Sequence, residues 1–107
     1  MLVNNVLGTI YPIPEKTDNN IIFCDGTAAI GHIPFNFTES NIDMLAFGGH
    51  KFGAPLGIGC LIIKEGIEIT PLLMSEHGVR GGTPTPALAY SMAIALEESI
   101  KNLNQNN

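Results

Sequence analysis

The run Gly48-Gly49-His50-Lys51-Phe52-Gly53-Ala54 constrains the folding of this chain more than any other stretch. It follows an apolar segment, Asp43-Met44-Leu45-Ala46-Phe47, that reads as a strand, and Gly57 and Gly59 come soon after. Glycines packed this densely end regular structure and let the backbone pass close to other groups. The chain must therefore present a lysine at a strand-to-loop junction. An amine there suits imine chemistry, because it attacks an aldehyde only when neutral, and a site that excludes water favours that form. The glycines would also let the backbone approach a flat cofactor and its phosphate. Taken alone, an exposed lysine in a flexible loop is the simpler account.

A second group stands upstream. Ile21-Ile22-Phe23-Cys24 is a short apolar run that ends in Asp25-Gly26-Thr27. An aspartate at the C-terminal end of a parallel strand lies where open α/β sheets bind ligands. A carboxylate there could hold a protonated pyridine nitrogen, as a pyridoxal phosphate site requires. On its own, Asp25 is better explained as the cap of a short helical turn over Thr27-Ala28-Ala29-Ile30.

The rest of the chain organises around these groups. Leu2 to Asn5 reads as the end of a strand, and Val6 to Asn20 as a connection with two prolines and a closing Asp18-Asn19-Asn20 turn. Strands are predicted at Ile21–Cys24, Ile42–Phe47, Ile58–Lys64 and, on weaker alternation, Ile67–Leu73. Helical turns are predicted at Thr27–Ile30 and Thr38–Asn41. From Pro84 or Pro86 to Leu103 the pattern is helical, with Leu88, Met92, Ala95, Leu96, Ser99 and Leu103 on one face. Asn104–Asn107 is a polar tail. Pro12 to Asn20 supplies no helix, so a crossover to the strand at Asp25 must run extended, at about 3.3 Å per residue. That would leave one sheet face partly uncovered.

Composition excludes several classes. Hydrophobic residues make up 45%, in the range of folded domains rather than disordered ones. Charged residues are only 14%, so part of the surface is expected to be covered by another segment or partner. The net charge is −5, and the cations Lys16, Lys51, Lys64, Arg80 and Lys101 are scattered, which argues against nucleic-acid binding. No apolar run suits a membrane span or a signal peptide, and the expected compartment is the cytoplasm. Cys24 and Cys60 lie inside apolar strand-like runs and read as buried structural thiols. The histidines form no metal set. His32, before Ile33-Pro34, reads as structural, and His77, in the loop before Arg80, as a solvated residue, with a functional role as the alternative.

In order and spacing, these motifs are similar to one family. Val3-Asn4-Asn5, Gly8-Thr9-Ile10, Asp25, Gly31-His32-Ile33-Pro34, Gly48-Gly49-His50-Lys51 with Gly57-Ile58-Gly59, and Arg80-Gly81-Gly82-Thr83 together resemble the cysteine desulfurases (NifS/IscS-like) of the class V aminotransferase fold. The resemblance runs from about Leu2 to Leu96. It implies an α/β fold: part of the large domain of a fold-type I pyridoxal phosphate-dependent transferase over residues 1–103, with a mostly parallel sheet and a C-terminal helix.

The resemblance also implies roles. Lys51 would form the imine with pyridoxal 5'-phosphate, His50 would help hold the phosphate end, and Asp25 would pair with the pyridine nitrogen. Asn5 would approach the phenolic oxygen, Thr83 would reach the phosphate of the neighbouring subunit, and Arg80 would line the substrate mouth. The complete form would be a homodimer that abstracts sulfur from L-cysteine and passes it to a sulfur-acceptor protein. Three positions depart from the family's pattern. Gly48 replaces a phosphate-binding serine, Ala28 a glutamine, and Val6 a glutamate. Full members are several times longer, so the chain is expected to be the middle of a large domain, as a fragment or a product of gene decay, without the loop cysteine that takes the sulfur. The alternatives are a non-catalytic relic acting as an interaction module, and another class V enzyme such as an aminotransferase or a selenocysteine lyase.

Overall fold

The apolar run before Asp25 forms only a short strand, β1 (Phe23–Asp25), because Gly26 turns the chain immediately afterwards. A computed structural model describes residues 1–73, 78 and 80–105. Strand β2 (Met44–Gly48) lies beside β1, and β3 (Gly59–Ile63) lies on the other side of β2. A 3-10 turn, Gly49–Phe52, follows β2, and one long helix, α1 (Pro86–Gln105), ends the described chain.

The sheet is mixed, not mostly parallel. β1 and β2 are parallel, with Asp25 opposite Ala46, whereas β2 and β3 are antiparallel, with Phe47 opposite Cys60. Connection length explains the difference. Residues 26–43 are long enough for the return that parallel strands need, about a dozen residues or more. Residues 49–58 are fewer and carry the 3-10 turn, so they can only reverse the chain.

The N-terminal segment also departs from expectation. Val3 forms an isolated antiparallel bridge with Ile10 rather than a strand, and its turn is closed by Asn4. The segment is tied to β1 by one bond, from the Leu2 N–H to the Asp25 carbonyl at 2.8 Å. Residues 6–20 contain no helix. Ile67–Leu73 forms no strand, and Thr27–Ile30 and Thr38–Asn41 are turns rather than helix. The helix reaches Gln105, beyond the predicted Leu103, so Asn104 and Gln105 are not tail. His77 lies outside the described residues.

Alternation along the strands sorts the core. Cys24, Leu45 and Phe47 are buried on one face, with Ile42 and Ala29 behind them. Phe23 and Leu61 point to the other face and remain 58% and 42% exposed, so that face is partly uncovered. Among the described residues no helix is long and apolar enough to cross a membrane.

One buried charge anchors the sheet. Asp43, 5% exposed, accepts hydrogen bonds from Lys16 Nζ at 2.6 Å and from the Ile22 N–H at 2.7 Å. These bonds tie the 6–20 connection to the starts of β1 and β2. Lys16 first, then the Ile22 amide, hold the Asp43 carboxyl below the usual carboxylate range. Asp25 is lowered too, by the Thr27 backbone N–H and then the Thr27 hydroxyl. A carboxyl whose folded pKa is depressed stabilises the fold above its unfolded value, about 3.9. That stability is lost as pH falls through the lower, folded value. Unfolding free energy measured from about pH 7 down to about pH 3 should therefore fall at the acid end. Asp43→Asn should lower stability near neutrality and flatten the acid limb. An unchanged acid limb in Asp43→Asn would show that this carboxyl is not linked to folding.

Candidate functional site at the C-terminal edge of the parallel strand pair

Because β1 and β2 run in the same direction, their C-terminal ends share one edge of the sheet. Asp25 is the last residue of β1 and Gly48 the last of β2. Thr27 cross-links the two ends. Its N–H donates to Asp25 Oδ1 at 2.9 Å, and its hydroxyl accepts the Gly48 N–H at 3.3 Å. Asp25 is exposed, and its lowered pKa keeps it anionic at neutral pH.

His50 and Lys51 come next, on the 3-10 turn. The His50 ring sits against Gly48: a Cβ on Gly48 would lie 3.0 Å from His50 Nδ1. Gly49 lets the turn pack under α1, since a Cβ there would lie 2.7 Å from Ala54 Cβ and 3.2 Å from Met92 Cγ. Gly53 closes the turn in the left-handed region, φ 90°, with its N–H donating to the Gly49 carbonyl. The Lys51 side chain is exposed, and its carbonyl accepts a hydrogen bond from His32 Nε2 at 2.9 Å.

The four lysines differ in what occupies their amines. Lys16 Nζ is on Asp43, Lys64 Nζ is on the Ser40 carbonyl and over the Phe37 ring, and Lys101 Nζ lies between Glu97 and Glu98. Among the described residues only the Lys51 amine is without such a partner.

The remaining predicted residues fall in two places. Asn5 is exposed in the N-terminal turn, where the working side chain is that of Asn4. Asn4 Oδ1 accepts the Val6 and Leu7 N–H groups, each at 2.9 Å. Arg80 and Thr83 meet each other in the segment entering α1, with Arg80 Nη1 donating to the Thr83 carbonyl at 3.3 Å. The structure thus gathers Asp25, His50 and Lys51 at one sheet edge and pairs Arg80 with Thr83 in a different loop. Among the described residues no group of three His, Cys, Asp or Glu side chains could hold a metal ion. Burial raises both the Cys24 and Cys60 thiols, so neither is primed as a nucleophile. An apolar cleft of about 210 Å³, lined by residues that include Tyr11, Ile13, Cys24 and Ile42, takes in none of the predicted site residues.

Three further contacts build the site and its support. Thr27 lies in the turn after β1 and also cross-links the strand ends. His32 is structural, as expected, and its partner is the Lys51 carbonyl. Lys16 pairs with Asp43 across 27 residues. Only Thr27 carried a signal, since a threonine two residues after an aspartate can close a turn onto its carboxylate.

The ends of parallel strands, here with an aspartate on one and a lysine just past the other, are where open α/β sheets bind ligands. The chain belongs to the class V aminotransferase family, whose profile, described as Aminotransferase class-V, matches residues 1–105. It is 34% identical over 114 residues to an IscS-like cysteine desulfurase of Mycobacterium tuberculosis, covering 99% of this chain and 29% of that protein. It is 36% identical over 115 residues to the cysteine desulfurase IscS of Clostridium botulinum, covering 100% and 29%. With a cysteine desulfurase of Nostoc it shares 43% identity over 86 residues, covering 76% and 22%. A solved structure of a NifS-like protein superposes with a TM-score of 0.74 at 32% identity, covering 79% of this chain and 24% of that one. The chain spans less than a third of the length of these relatives. The family is pyridoxal phosphate-dependent.

Proposed function

We propose that this chain is the lysine-bearing part of a pyridoxal phosphate-dependent, cysteine desulfurase-like enzyme that acts on L-cysteine in its complete form. The observation that carries this reading is the placement of Asp25 and Lys51 at one edge of a parallel strand pair. The donor set fits the ring end of the cofactor. Asp25 is ionised at neutral pH, as a partner for a protonated pyridine nitrogen must be. Lys51 presents an uncommitted amine on the same edge. The phosphate end is less well supplied, because Gly48 brings no hydroxyl and its N–H already donates to Thr27.

When bound, pyridoxal phosphate supplies an electron sink for breaking bonds at the substrate's α-carbon. The chain's own groups then have simple tasks. Asp25 holds the proton on the pyridine nitrogen, and Thr27 holds Asp25 in place. Lys51 Nζ attaches the cofactor and moves protons at the substrate carbon. His50 steadies the phosphate end, and Asn5 approaches the phenolic oxygen. In the homodimer, Thr83 would serve the neighbouring subunit's phosphate and Arg80 the substrate mouth. A sulfur-acceptor protein would complete the reaction. The Arg80-Gly81-Gly82-Thr83 motif favours this branch over other class V enzymes. A second reading, a non-catalytic module of the same fold, is favoured by Gly48. A serine Cβ there would press on His50 at 3.0 Å.

Reductive trapping separates the two readings. Protein mixed with pyridoxal phosphate and reduced with borohydride should carry the pyridoxyl group on Lys51, and Lys51→Ala should lose the label. Labelling spread equally over Lys16, Lys64 and Lys101 would favour the non-catalytic module.

A further inference from the structure

We propose that His32 is a positioning residue for Lys51, acting through the backbone of the 3-10 turn; this rests on the reading of Lys51 given above. His32 Nε2 lies 2.9 Å from the Lys51 carbonyl oxygen, a contact across 19 residues. A carbonyl can only accept, so Nε2 carries the proton and the ring is held in one tautomer. A 3-10 turn of four residues has few bonds of its own. Its carbonyls need outside donors, and His32 supplies one at the residue whose side chain is the amine.

His32 is itself held from behind. Gly31 adopts φ +82°, and its carbonyl accepts the Ser99 hydroxyl of α1 at 2.6 Å. A Cβ on Gly31 would lie 2.9 Å from Phe52 Cβ, at the end of the same turn. The turn is thus gripped at two points. Phe52 packs against Gly31, and the Lys51 carbonyl bonds His32. Ser99 ties Gly31 to helix α1. Rotation of the turn about its short axis would swing the Lys51 amine away from the Asp25 edge, and the His32 bond opposes that rotation.

Amide hydrogen exchange on the protein reads the grip without any ligand. The Gly53 and Ala54 N–H groups both donate to the Gly49 carbonyl and close the turn. His32→Ala should speed their exchange on the order of tenfold while the β2 amides stay unchanged. His32→Gln, which keeps a side-chain N–H donor, should restore protection. In parallel, Lys51 labelling by pyridoxal phosphate and borohydride, relative to Lys101, should fall in His32→Ala and recover in His32→Gln. Unchanged Gly53 and Ala54 exchange in His32→Ala would overturn the proposal. So would failure of His32→Gln to restore either readout. Unselective labelling in the unmutated protein would instead overturn the cofactor reading, with the exchange result still deciding the grip.

Discussion

Leu45→Ala is expected to lower the unfolding free energy by about 2–5 kcal/mol, the range for deleting most of a buried leucine. Leu45 is 1% exposed and sits in the central strand, opposite Cys24 on one side and Ile62 on the other. Few neighbours can collapse into the space, because both flanking strands are held by ladder hydrogen bonds. A domain of this size has roughly 5–15 kcal/mol in total. The loss would therefore bring the protein close to its unfolding threshold. The site would feel it as well. Leu45 Cδ1 comes so near the Gly26 backbone that a Cβ on Gly26 would lie 2.8 Å from it. Leu45 thus supports the turn that follows Asp25. Leu45→Met, which nearly conserves volume, should cost less than about 1.5 kcal/mol. Urea denaturation of both variants checks this. Equal losses for alanine and methionine would mean that shape at this position, not the cavity, governs the cost.

How far the sequence reveals this fold depends on whether the deciding contacts are local. The helix was legible because its burial repeats with the helical period. Met92 is buried, Leu88, Ala95, Leu96, Ser99 and Leu103 are half-buried, and Tyr90 and Ile94 face solvent. The strands at β1, β2 and β3 were legible as apolar runs closed by glycine or aspartate. Strand direction was not, because alternation is the same in parallel and antiparallel strands. The 49–58 connection, too short for a parallel return, sets the direction. Ile67 and Ile69 are half-buried in alternation, as the pattern foretold, but pattern cannot supply a ladder partner. The Asp25 and Lys51 positions were legible because each follows its strand directly. Asp25 is held locally by the Thr27 N–H, but the contacts that lock the surrounding elements together, His32 on Lys51, Thr27 on Gly48 and Lys16 on Asp43, join residues 19 or more apart. No spacing rule reaches that far.

Gly31→Ala should destabilise the protein by about 2–5 kcal/mol, from two separable causes. Gly31 has φ +82°, and a side chain in the left-handed region costs roughly 1–2 kcal/mol. The added methyl would also lie 2.8 Å from Ser99 Oγ and 2.9 Å from Phe52 Cβ, and overpacking costs about 1–3 kcal/mol more. Gly53→Ala isolates the first cause. Its φ is +90°, yet a Cβ there meets nothing within 4 Å. Gly53→Ala should therefore lose only the backbone part, and the difference between the variants should be the packing part. Part of the Gly31→Ala cost is relievable if Ser99 can move, so Ser99→Ala added to Gly31→Ala should recover some stability. That recovery would come without the Ser99–Gly31 hydrogen bond, which contributes about 1 kcal/mol. Phe52 offers no such relief, because its Cβ is fixed by the turn it ends. Gly31→Ala should consequently also loosen the 3-10 turn and expose Gly53 and Ala54 to exchange, whereas Ser99→Ala alone should do so only weakly. Urea denaturation of the three single variants and the double variant would measure these terms. Equal losses in Gly31→Ala and Gly53→Ala would refute the idea that contact between Gly31, Ser99 and Phe52 locks the lysine-bearing turn to α1.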